Sequence, residues 1–468
     1  MRNSILHIIY LLIILSAANW SNAQTKPGYQ LPKYETFKLP NGLTVYLMEK
    51  HEVPVISINV IIPAGAIYDG SKAGLASLTA SCLQGGTKSF TKQQIEEEFD
   101  FAGASVSINS TTEFARLSAK MAVKDEDKLL PMVKELLLSP TFPADEFDKE
   151  KKRELVGLDQ SKESPGQVIN AYWNKFYYGS YAYGNVVSGT VSSLSIINAG
   201  DAATFYKTYY NPDGSAIAVT GDFSSKDMKA TITRLFSVWK KTAGVTNPSA
   251  QAFTPSSSKK ILLVNKDDAN ETTMIIGSAG ITRNNPDYIA VQVINTIFGG
   301  RFTSWINDEL RVKSGLTYGA VSFFDMYKNN GTFLISTHTA NATTEPTITK
   351  ALEVVNRLQN DSIDTETLTS AKNYMIGLLP PRYQTTDQLA GLLTGMFWYG
   401  YNESYINNFE ANVNAVTAAK AKEVVQKYFP KDKIQFVLIG KSSDIKSIAV
   451  KYGSVEEVQI KDDIGKGF

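Results

Sequence analysis

Short stretches that are apolar, or in which apolar and polar residues alternate, recur along the chain and predict β-strands. They form two sets, and each set begins with two separate strands and continues with a hairpin-like pair. The predicted strands of the first set are Leu43–Leu47, Val55–Ile62, Ala104–Ile108 and Phe114–Lys120, and those of the second set are Ile261–Val264, Met274–Ile276, Tyr318–Phe324 and Thr332–Thr337. Lys328-Asn329-Asn330-Gly331 is a turn signal between the last two strands.

Longer segments with helical character follow these strands. The longest are Asp145–Gln160 in the first set and Glu366–Leu378 in the second. Each set then closes with a tyrosine-containing turn and a further strand, in Tyr209–Asp222 and Tyr428–Lys441. This order of elements predicts an α+β fold of two tandem homologous domains, each with a mostly antiparallel sheet packed against helices. The pattern by itself also allows two unrelated domains.

The composition changes near the middle of the chain. Residues 241–258 are rich in Thr, Ala, Asn, Pro and Ser and have no run of apolar periodicity, as is typical of a linker. We therefore predict an N-terminal domain over residues 24–240 and a C-terminal domain over residues 259–468.

Residues 1–23 predict a secretory signal. Arg2 supplies a positive start, Ile5–Leu15 is almost wholly apolar but too short to cross a bilayer about 30 Å thick, and Ser21-Asn22-Ala23 fits the cleavage rule. We expect an exported protein, periplasmic in a Gram-negative cell, with Gln24 as a mature start and no membrane span after cleavage. An uncleaved N-terminal anchor is the alternative.

Charge and side-chain inventory exclude several classes of function. Lysine and arginine number 47 against 46 aspartates and glutamates, so the net charge of +1 gives no basis for binding nucleic acid. Cys82 is the only cysteine, which excludes an internal disulfide and a cysteine-based metal cage. His7 would leave with the signal, and we interpret His51 and His338 as ordinary surface or hydrogen-bonded histidines.

Several short motifs occur in an order that resembles the M16 family of insulinase, pitrilysin and mitochondrial processing peptidases. They are Leu39-Pro40-Asn41-Gly42-Leu43, Val60-Ile61-Ile62-Pro63-Ala64-Gly65-Ala66, Tyr210-Asn211-Pro212 with Gly221-Asp222, and Leu310-Arg311 with Gly315-Leu316-Thr317-Tyr318. The resemblance runs through both halves of the mature chain. It implies two tandem α+β domains that form half of a clamshell, closed by a second such chain.

Active members of that family carry an inverted zinc motif, His-x-x-Glu-His, on a helix, with a second Glu further on as the third ligand. Aligned with this motif, Ser77 and Ser81 take the two His positions and Ala80 takes the Glu, while the distal Glu falls at about Val156 or Gly157. The resemblance therefore implies that this chain binds no zinc. We interpret neighbouring Cys82 as a buried small hydrophobe.

Acidic residues near the lost distal ligand alternate with arginine and lysine. We interpret Glu150, Glu154 and Asp159 as a solvated helix face for this reason.

A helix is predicted where Phe302, Trp305, Ile306 and Leu310 recur at helical spacing, after Gly299-Gly300 and before Gly315. Arg311 would lie in its last turn and Tyr318 would open the next strand. The resemblance implies that these two match an Arg/Tyr pair that a zinc-free chain supplies to a zinc-bearing partner, where both side chains donate to the substrate carbonyl and its oxyanion. A surface ion pair and a plain strand residue are the alternative. Gly299-Gly300 either admits a peptide backbone or is a plain turn.

The predicted strand Ala104–Asn109 corresponds to a sheet edge that pairs with substrate in active members. Ser105, Ser107 and Asn109 are the candidate peptide-contacting positions, and a merely structural edge is the alternative. The main hypothesis is an exported, non-zinc-binding subunit of a heterodimeric M16 zinc endopeptidase. Its partner chain would carry the zinc, and unfolded peptides would be the substrates. The other hypothesis is a non-enzymatic scaffold or peptide-binding protein.

Overall fold

The computed structural model describes residues 28–242, 246–255 and 260–468. The predicted signal, residues 1–23, and parts of the predicted linker lie outside the described residues. Two six-stranded sheets dominate the structure, and each belongs to one half of the chain. We refer to residues 28–242 as the N-terminal half and to residues 260–468 as the C-terminal half.

The N-terminal half contains six strands in the order β1-β2-β6-β3-β5-β4. All neighbours are antiparallel except β2 and β6. The strands are β1 Glu35–Lys38, β2 Thr44–Glu49, β3 Val55–Ile62, β4 Ser105–Ser110, β5 Ala115–Ala122 and β6 Ala216–Gly221. The helices are α1 Leu75–Cys82, α2 Lys92–Phe101, α3 Glu126–Leu138, α4 Ala144–Ser161, α5 Pro165–Tyr178, α6 Val191–Ile196, α7 Ala199–Tyr209 and α8 Ser225–Phe236.

The C-terminal half repeats this arrangement in five of its six strands, with strand order β12-β7-β11-β8-β10-β9. The outermost strand differs, because β12 is the last strand of its half and pairs in parallel with β7, whereas β1 is the first and pairs antiparallel with β2. The strands of the C-terminal half are β7 Lys260–Asn265, β8 Glu271–Ala279, β9 Ala320–Met326, β10 Gly331–Ala340, β11 Gln435–Gly440 and β12 Ser454–Gln459. Its helices are α9 Tyr288–Phe298, α10 Trp305–Asn307, α11 Thr344–Asn360, α12 Thr365–Arg382, α13 Thr386–Tyr399, α14 Ser404–Asn407, α15 Phe409–Asn414, α16 Ala418–Tyr428 and α17 Ser442–Ala449. The expected α+β fold of two homologous, mostly antiparallel sheets is therefore confirmed.

One helix of each half packs on the sheet of the other half. Helix α5 of the N-terminal half packs on the C-terminal sheet, where the fully buried Trp173 lies over Gly277. Helix α13 of the C-terminal half packs in the same way on the N-terminal sheet, with Leu393 against Met48 and Ala218. Because both faces of each central strand are covered, β6 and β11 are buried along their whole length. The exchange fixes the two halves against each other.

The homologous hairpins of the two halves meet at a buried carboxylate. Glu113, between β4 and β5, accepts hydrogen bonds from the Tyr183 hydroxyl at 2.6 Å and from the Trp398 indole N–H at 3.2 Å. It also accepts one from the backbone N–H of Lys328, in the β9–β10 turn, at 3.0 Å. Burial raises the pKa of Glu113 in spite of these donors. This contact, with α5 and α13, sets the relative position of the two sheets.

Two local predictions for the C-terminal half require correction. The helix predicted from Phe302 begins at Trp305, and after Asn307 it continues as a π-helix, Asp308–Lys313. Phe302 lies before the helix and is 66% exposed, whereas Ile306 and Leu310 are buried as expected. Strand β9 begins at Ala320, so Tyr318 precedes it. The helical spacing of Phe302 predicts that it belongs to the apolar face of this helix, but the chain is not yet helical at that residue.

Part of the predicted linker packs against the body of the protein. The Tyr181 hydroxyl donates to the backbone carbonyl of Ser249 at 2.6 Å, and Phe253 stacks on the Tyr181 ring. Residues 246–255 are thus held by the interface between the halves. Within the described parts of the chain, no helix is long and apolar enough to cross a membrane.

Candidate functional site

Helix α1 holds the positions of the absent zinc motif. The buried carboxylate of Asp69 accepts backbone N–H groups of Gly74 at 2.8 Å and Ala76 at 2.7 Å, which fixes the start of this helix. Ser77 and Ser81 follow one turn apart on a half-buried face, and Ala80 between them is fully buried. The helix is therefore in place, but serine hydroxyls are poor zinc ligands and alanine offers neither a base nor a ligand.

Charged side chains surround a small cavity of about 200 Å³ beside Ser81. Lys92 pairs with Glu146 at 3.4 Å, and Glu150 pairs with Arg153. Cys82 also lines this cavity, and burial raises its pKa to about 12, with Glu150 and Glu154 adding to the shift. Burial therefore keeps its thiol protonated at neutral pH, and a protonated thiol is a weak nucleophile.

The distal part of the motif has also lost its ligand. Val156 and Gly157 are both exposed on α4 and carry no carboxylate. Glu154 is half-buried, and burial, followed by the nearby Glu150, raises its pKa, so it is not part of a fully solvated face. Asp159 is exposed. Across the described residues, no group of three or more His, Cys, Asp or Glu side chains could hold a metal ion. The residues present do not fit zinc.

The two remaining histidines lie outside this region. His51 forms a surface cluster with Asp222, whose Oδ1 is 2.6 Å from its Nδ1, and with Glu49, whose Oε2 is 3.2 Å from its Nε2. These carboxylates raise the pKa of His51. His338 lies on β10, in the other half of the molecule. The structure does not bring the two histidines together.

Strand β4 forms one border of the N-terminal sheet. Val106 is partly buried and Ile108 is buried, while Ser105, Ser107 and Asn109 are exposed between them, as the alternation predicts. Among the strands of the described residues, β4 pairs only with β5, so its other edge faces away from the sheet. An edge of this kind can accept an added strand, although nothing else in this strand marks it as a peptide site.

Arg311 and Tyr318 lie together in the C-terminal half. The guanidinium carbon of Arg311 is 4.7 Å from the centroid of the Tyr318 ring and 4.8 Å from that of Phe302. Arg311 belongs to the π-helical segment, and such segments are frequent at functional sites. In the part of the chain that the structure describes, the Arg311 side chain makes no hydrogen bond or ion pair. Two aromatic rings thus hold a guanidinium whose N–H donors are unpartnered.

Arg311 borders a groove of about 450 Å³ along β9. Gly299 and Gly300 form one wall and Arg311 another. A Cβ on Gly299 would lie 2.2 Å from the Ser322 Oγ, so this glycine is required by close packing against β9. Gly300 is exposed in the groove. Gly299 therefore serves the close packing of the turn, whereas the exposed Gly300 remains the candidate for contact with a peptide backbone.

Three other side chains belong to this site and were not predicted to do so from the sequence. Arg301 and Tyr374 line the groove, and Phe302 supplies one of the two rings around Arg311. Tyr374 comes from the distant helix α12, and no local pattern could have placed it here. Arg301 and Phe302 directly follow the two glycines, so their position beside a candidate turn was the available signal.

Comparisons with known proteins agree with this architecture. Residues 44–191 match the family model of insulinase (peptidase family M16), and residues 197–375 match that of the peptidase M16 inactive domain. Together the two models cover most of the chain, and the chain belongs to the M16 family.

Relatives and solved structures cover nearly the whole fold. A Pseudomonas fluorescens peptidase M16 inactive domain is 26% identical, with a TM-score of 0.81 over 87% of this chain and 98% of that one. A Helicobacter pylori protease structure, 20% identical, has a TM-score of 0.80 over 87% of this chain and 100% of its own, which shows the fold.

The names of the curated relatives differ in what they state about activity. A Bacillus subtilis protein named uncharacterized zinc protease YmxG is 22% identical over 84% of this chain and 95% of its own length. A Helicobacter pylori protein named non-peptidase homolog YmxG is 21% identical over 79% and 88%. With the serine and alanine residues on α1, these findings are consistent with a non-catalytic M16 homologue.

Proposed function

We propose that this chain is the exported, site-completing subunit of a heterodimeric M16 endopeptidase. In this proposal a second M16 chain with an intact zinc motif supplies the metal, because the residues of α1 and α4 here do not fit it. The present chain contributes Arg311 and Tyr318 to the same substrate-binding chamber. The observation that carries the proposal is the stacked Arg311 guanidinium, which has no partner among the described side chains.

The cation–π contacts suit Arg311 to this role. A guanidinium in contact with two rings is restrained in its orientation, and its N–H groups lie in its own plane. Those groups, with the Tyr318 hydroxyl, can donate to the carbonyl oxygen of a bound peptide and to the negative charge that develops on it during hydrolysis. Tyr318 is 78% exposed, so a substrate can reach its hydroxyl. An unpaired cation and an exposed ring contribute little to folding, which favours a functional role for both.

Kinetics of the two-chain enzyme test the proposal. With its partner, Arg311→Ala or Tyr318→Phe is expected to lower kcat/KM by about 10²–10³-fold, as the loss of one oxyanion donor does. Arg357→Ala is the matched control, because Arg357 stacks on Trp305 at 4.1 Å in the same half but lies outside the groove. Full activity of the Arg311→Ala, Tyr318→Phe double variant would exclude the role, provided the dimer still forms.

The second candidate is a non-enzymatic scaffold or peptide-binding protein, and the outer edge of β4 favours it. Affinity isolation of the tagged chain from its native envelope distinguishes the two. Recovery of an equal amount of a chain that carries His-x-x-Glu-His supports the two-chain enzyme. Recovery of the chain alone, or with a partner that lacks the motif, supports the scaffold.

A further inference from the structure

A second cavity adjoins the groove beside Arg311. It has a volume of about 140 Å³, and Gly300 and Tyr374 line both spaces. Arg382, near the end of α12, also lines the second cavity. We call the two neighbouring spaces together the arginine groove.

The charged side chains that line the arginine groove are all positive. Arg301, Arg311 and Arg382 line it, and no aspartate or glutamate does. Arg301 donates to the Ser370 hydroxyl at 2.9 Å, and its buried Nε has no hydrogen-bond partner. Within the described ranges none of the three arginines has a carboxylate at ion-pair distance. Arg153 and Arg357 each pair with an acidic residue. Among the described side chains, Arg116, Arg234 and Arg283 have no such pair either, so the distinguishing feature of the groove is that three arginines line it together without an acidic residue.

Apolar surface accompanies the arginines. Phe302, Tyr318 and Val321 are among the most exposed large apolar side chains of the described residues, and Tyr374 is 40% exposed. Exposed apolar side chains gathered along a groove mark an interaction site. Its aromatic lining and one-sided charge suit a polypeptide that carries both acidic and apolar side chains.

We infer that the arginine groove binds an extended peptide segment and selects for aspartate or glutamate side chains in it. Arg301 and Arg382 are the selecting residues. A guanidinium binds a carboxylate through two parallel N–H···O bonds, and the terminal N–H groups of Arg301 and Arg382 can form them. The inference names the substrate class of the proposed site and rests on the proposed function only in placing peptide beside Arg311.

Direct binding to the full mature chain, without any partner, tests the inference. The probes are a fluorescent peptide with alternating glutamate and aromatic residues and its glutamine analogue, both with amidated C-termini, measured by anisotropy. We expect the glutamine peptide to bind at least 10-fold more weakly, and the glutamate peptide to lose affinity as salt is raised.

Variants then locate the contact. Arg301→Gln and Arg382→Gln are each expected to weaken binding of the glutamate peptide about 10-fold or more and to leave the glutamine peptide unchanged. Arg357→Gln, at a paired and stacked arginine outside the groove, should change neither. Arg382 is exposed, so its variant remains informative if Arg301→Gln does not fold. Equal affinity of the two peptides, or the same loss in Arg357→Gln, would overturn the inference.

Two further outcomes separate it from other possibilities. If only a free C-terminal carboxylate confers affinity, the groove recognises chain ends and the inference is wrong. If peptide binds only after a self-associated form is diluted to monomer, a second copy is the occupant and the inference is also wrong. Tyr318→Phe should leave peptide affinity intact while lowering the two-chain rate, so failure of the proposed function and failure of this inference give different results.

Discussion

The two halves share one fold, but the helical connection between β3 and β4 differs from the one between β8 and β9 in how its polar and apolar side chains are partnered. In the N-terminal half, α1 carries Ser77, Ala80 and Ser81, and the charges beside it are neutralised by the Lys92–Glu146 and Glu150–Arg153 pairs. In the C-terminal half, the segment around Arg311 keeps an unpaired guanidinium and exposed aromatic rings. The paired charges beside α1 are typical of ordinary protein surface, whereas the unpaired guanidinium and exposed rings around Arg311 are not.

This difference indicates where function persists. A region that no longer performs chemistry can lose its polar ligands and pair its charges, because both changes favour the folded state. A region that must contact a ligand keeps donors and apolar surface that folding alone does not require. The contrast therefore supports the proposal that the functional part of this M16 chain lies in its C-terminal half.

Restoring the zinc motif is expected to have the largest effect on stability, and it tests the difference between the two halves most directly. We expect Ala80→Glu to lower the free energy of unfolding by about 3–5 kcal/mol, because Ala80 is fully buried and the new carboxylate would have no partner. The combined variant Ser77→His, Ala80→Glu, Ser81→His should therefore unfold at lower urea and bind no stoichiometric zinc, measured by denaturation and metal analysis.

The control separates charge from size. Ala80→Met adds a side chain of similar length without a charge and should destabilise less, while Ser77→His alone, at a half-buried position, should have a small effect. A combined variant that folds normally and binds one zinc would show that the N-terminal site is only substituted at its ligands, and that the two halves differ less than we infer.

How far the sequence predicts this molecule depends on the range of the contacts. Strands such as Val55–Ile62 and the duplicated order of elements are predictable because alternation and turn residues are local signals. The exchange of α5 and α13 is not predictable in this way, because each helix packs on the sheet of the other half. The Arg311–Tyr318 contact needed the family resemblance, while Tyr374 reaches the groove from a separate helix.

Glu113 gives an intermediate effect and tests how the halves are joined. Burial raises its pKa above the ordinary value of 4.5, so the folded state binds a proton more tightly than the unfolded chain. Its contribution is fully present below about pH 4.5 and is lost as pH rises through the folded pKa. We expect the difference in free energy of unfolding between wild type and Glu113→Gln to be largest in acid and to shrink toward neutral pH.

Glu457 is expected to contribute a pH dependence of stability opposite in sign to that of Glu113. Lys446 lies 2.7 Å from Glu457 and lowers its pKa, so the contribution of Glu457 is present above the ordinary carboxyl pKa and is lost in acid. Urea denaturation across pH should therefore give opposite slopes for Glu457→Gln and Glu113→Gln. A Glu113→Gln difference that grows toward neutral pH would mean that the hydrogen bonds from Tyr183, Lys328 and Trp398 outweigh burial.

The smallest expected effect is the change in stability when Arg311 is replaced, and it distinguishes a functional from a structural role for this residue. Arg311→Ala should change the free energy of unfolding by less than about 1 kcal/mol, because an exposed cation–π contact contributes about 0.5–1 kcal/mol and no ion pair is lost. Arg357→Ala, which removes a stack on Trp305 and a pair with Asp361 at 3.9 Å, should cost a similar amount. Thermal and urea unfolding of both variants measure this. A loss of several kcal/mol in Arg311→Ala alone would make Arg311 a structural residue. The expected result, a stable variant with a much slower two-chain enzyme, is the combination that a role in substrate binding requires.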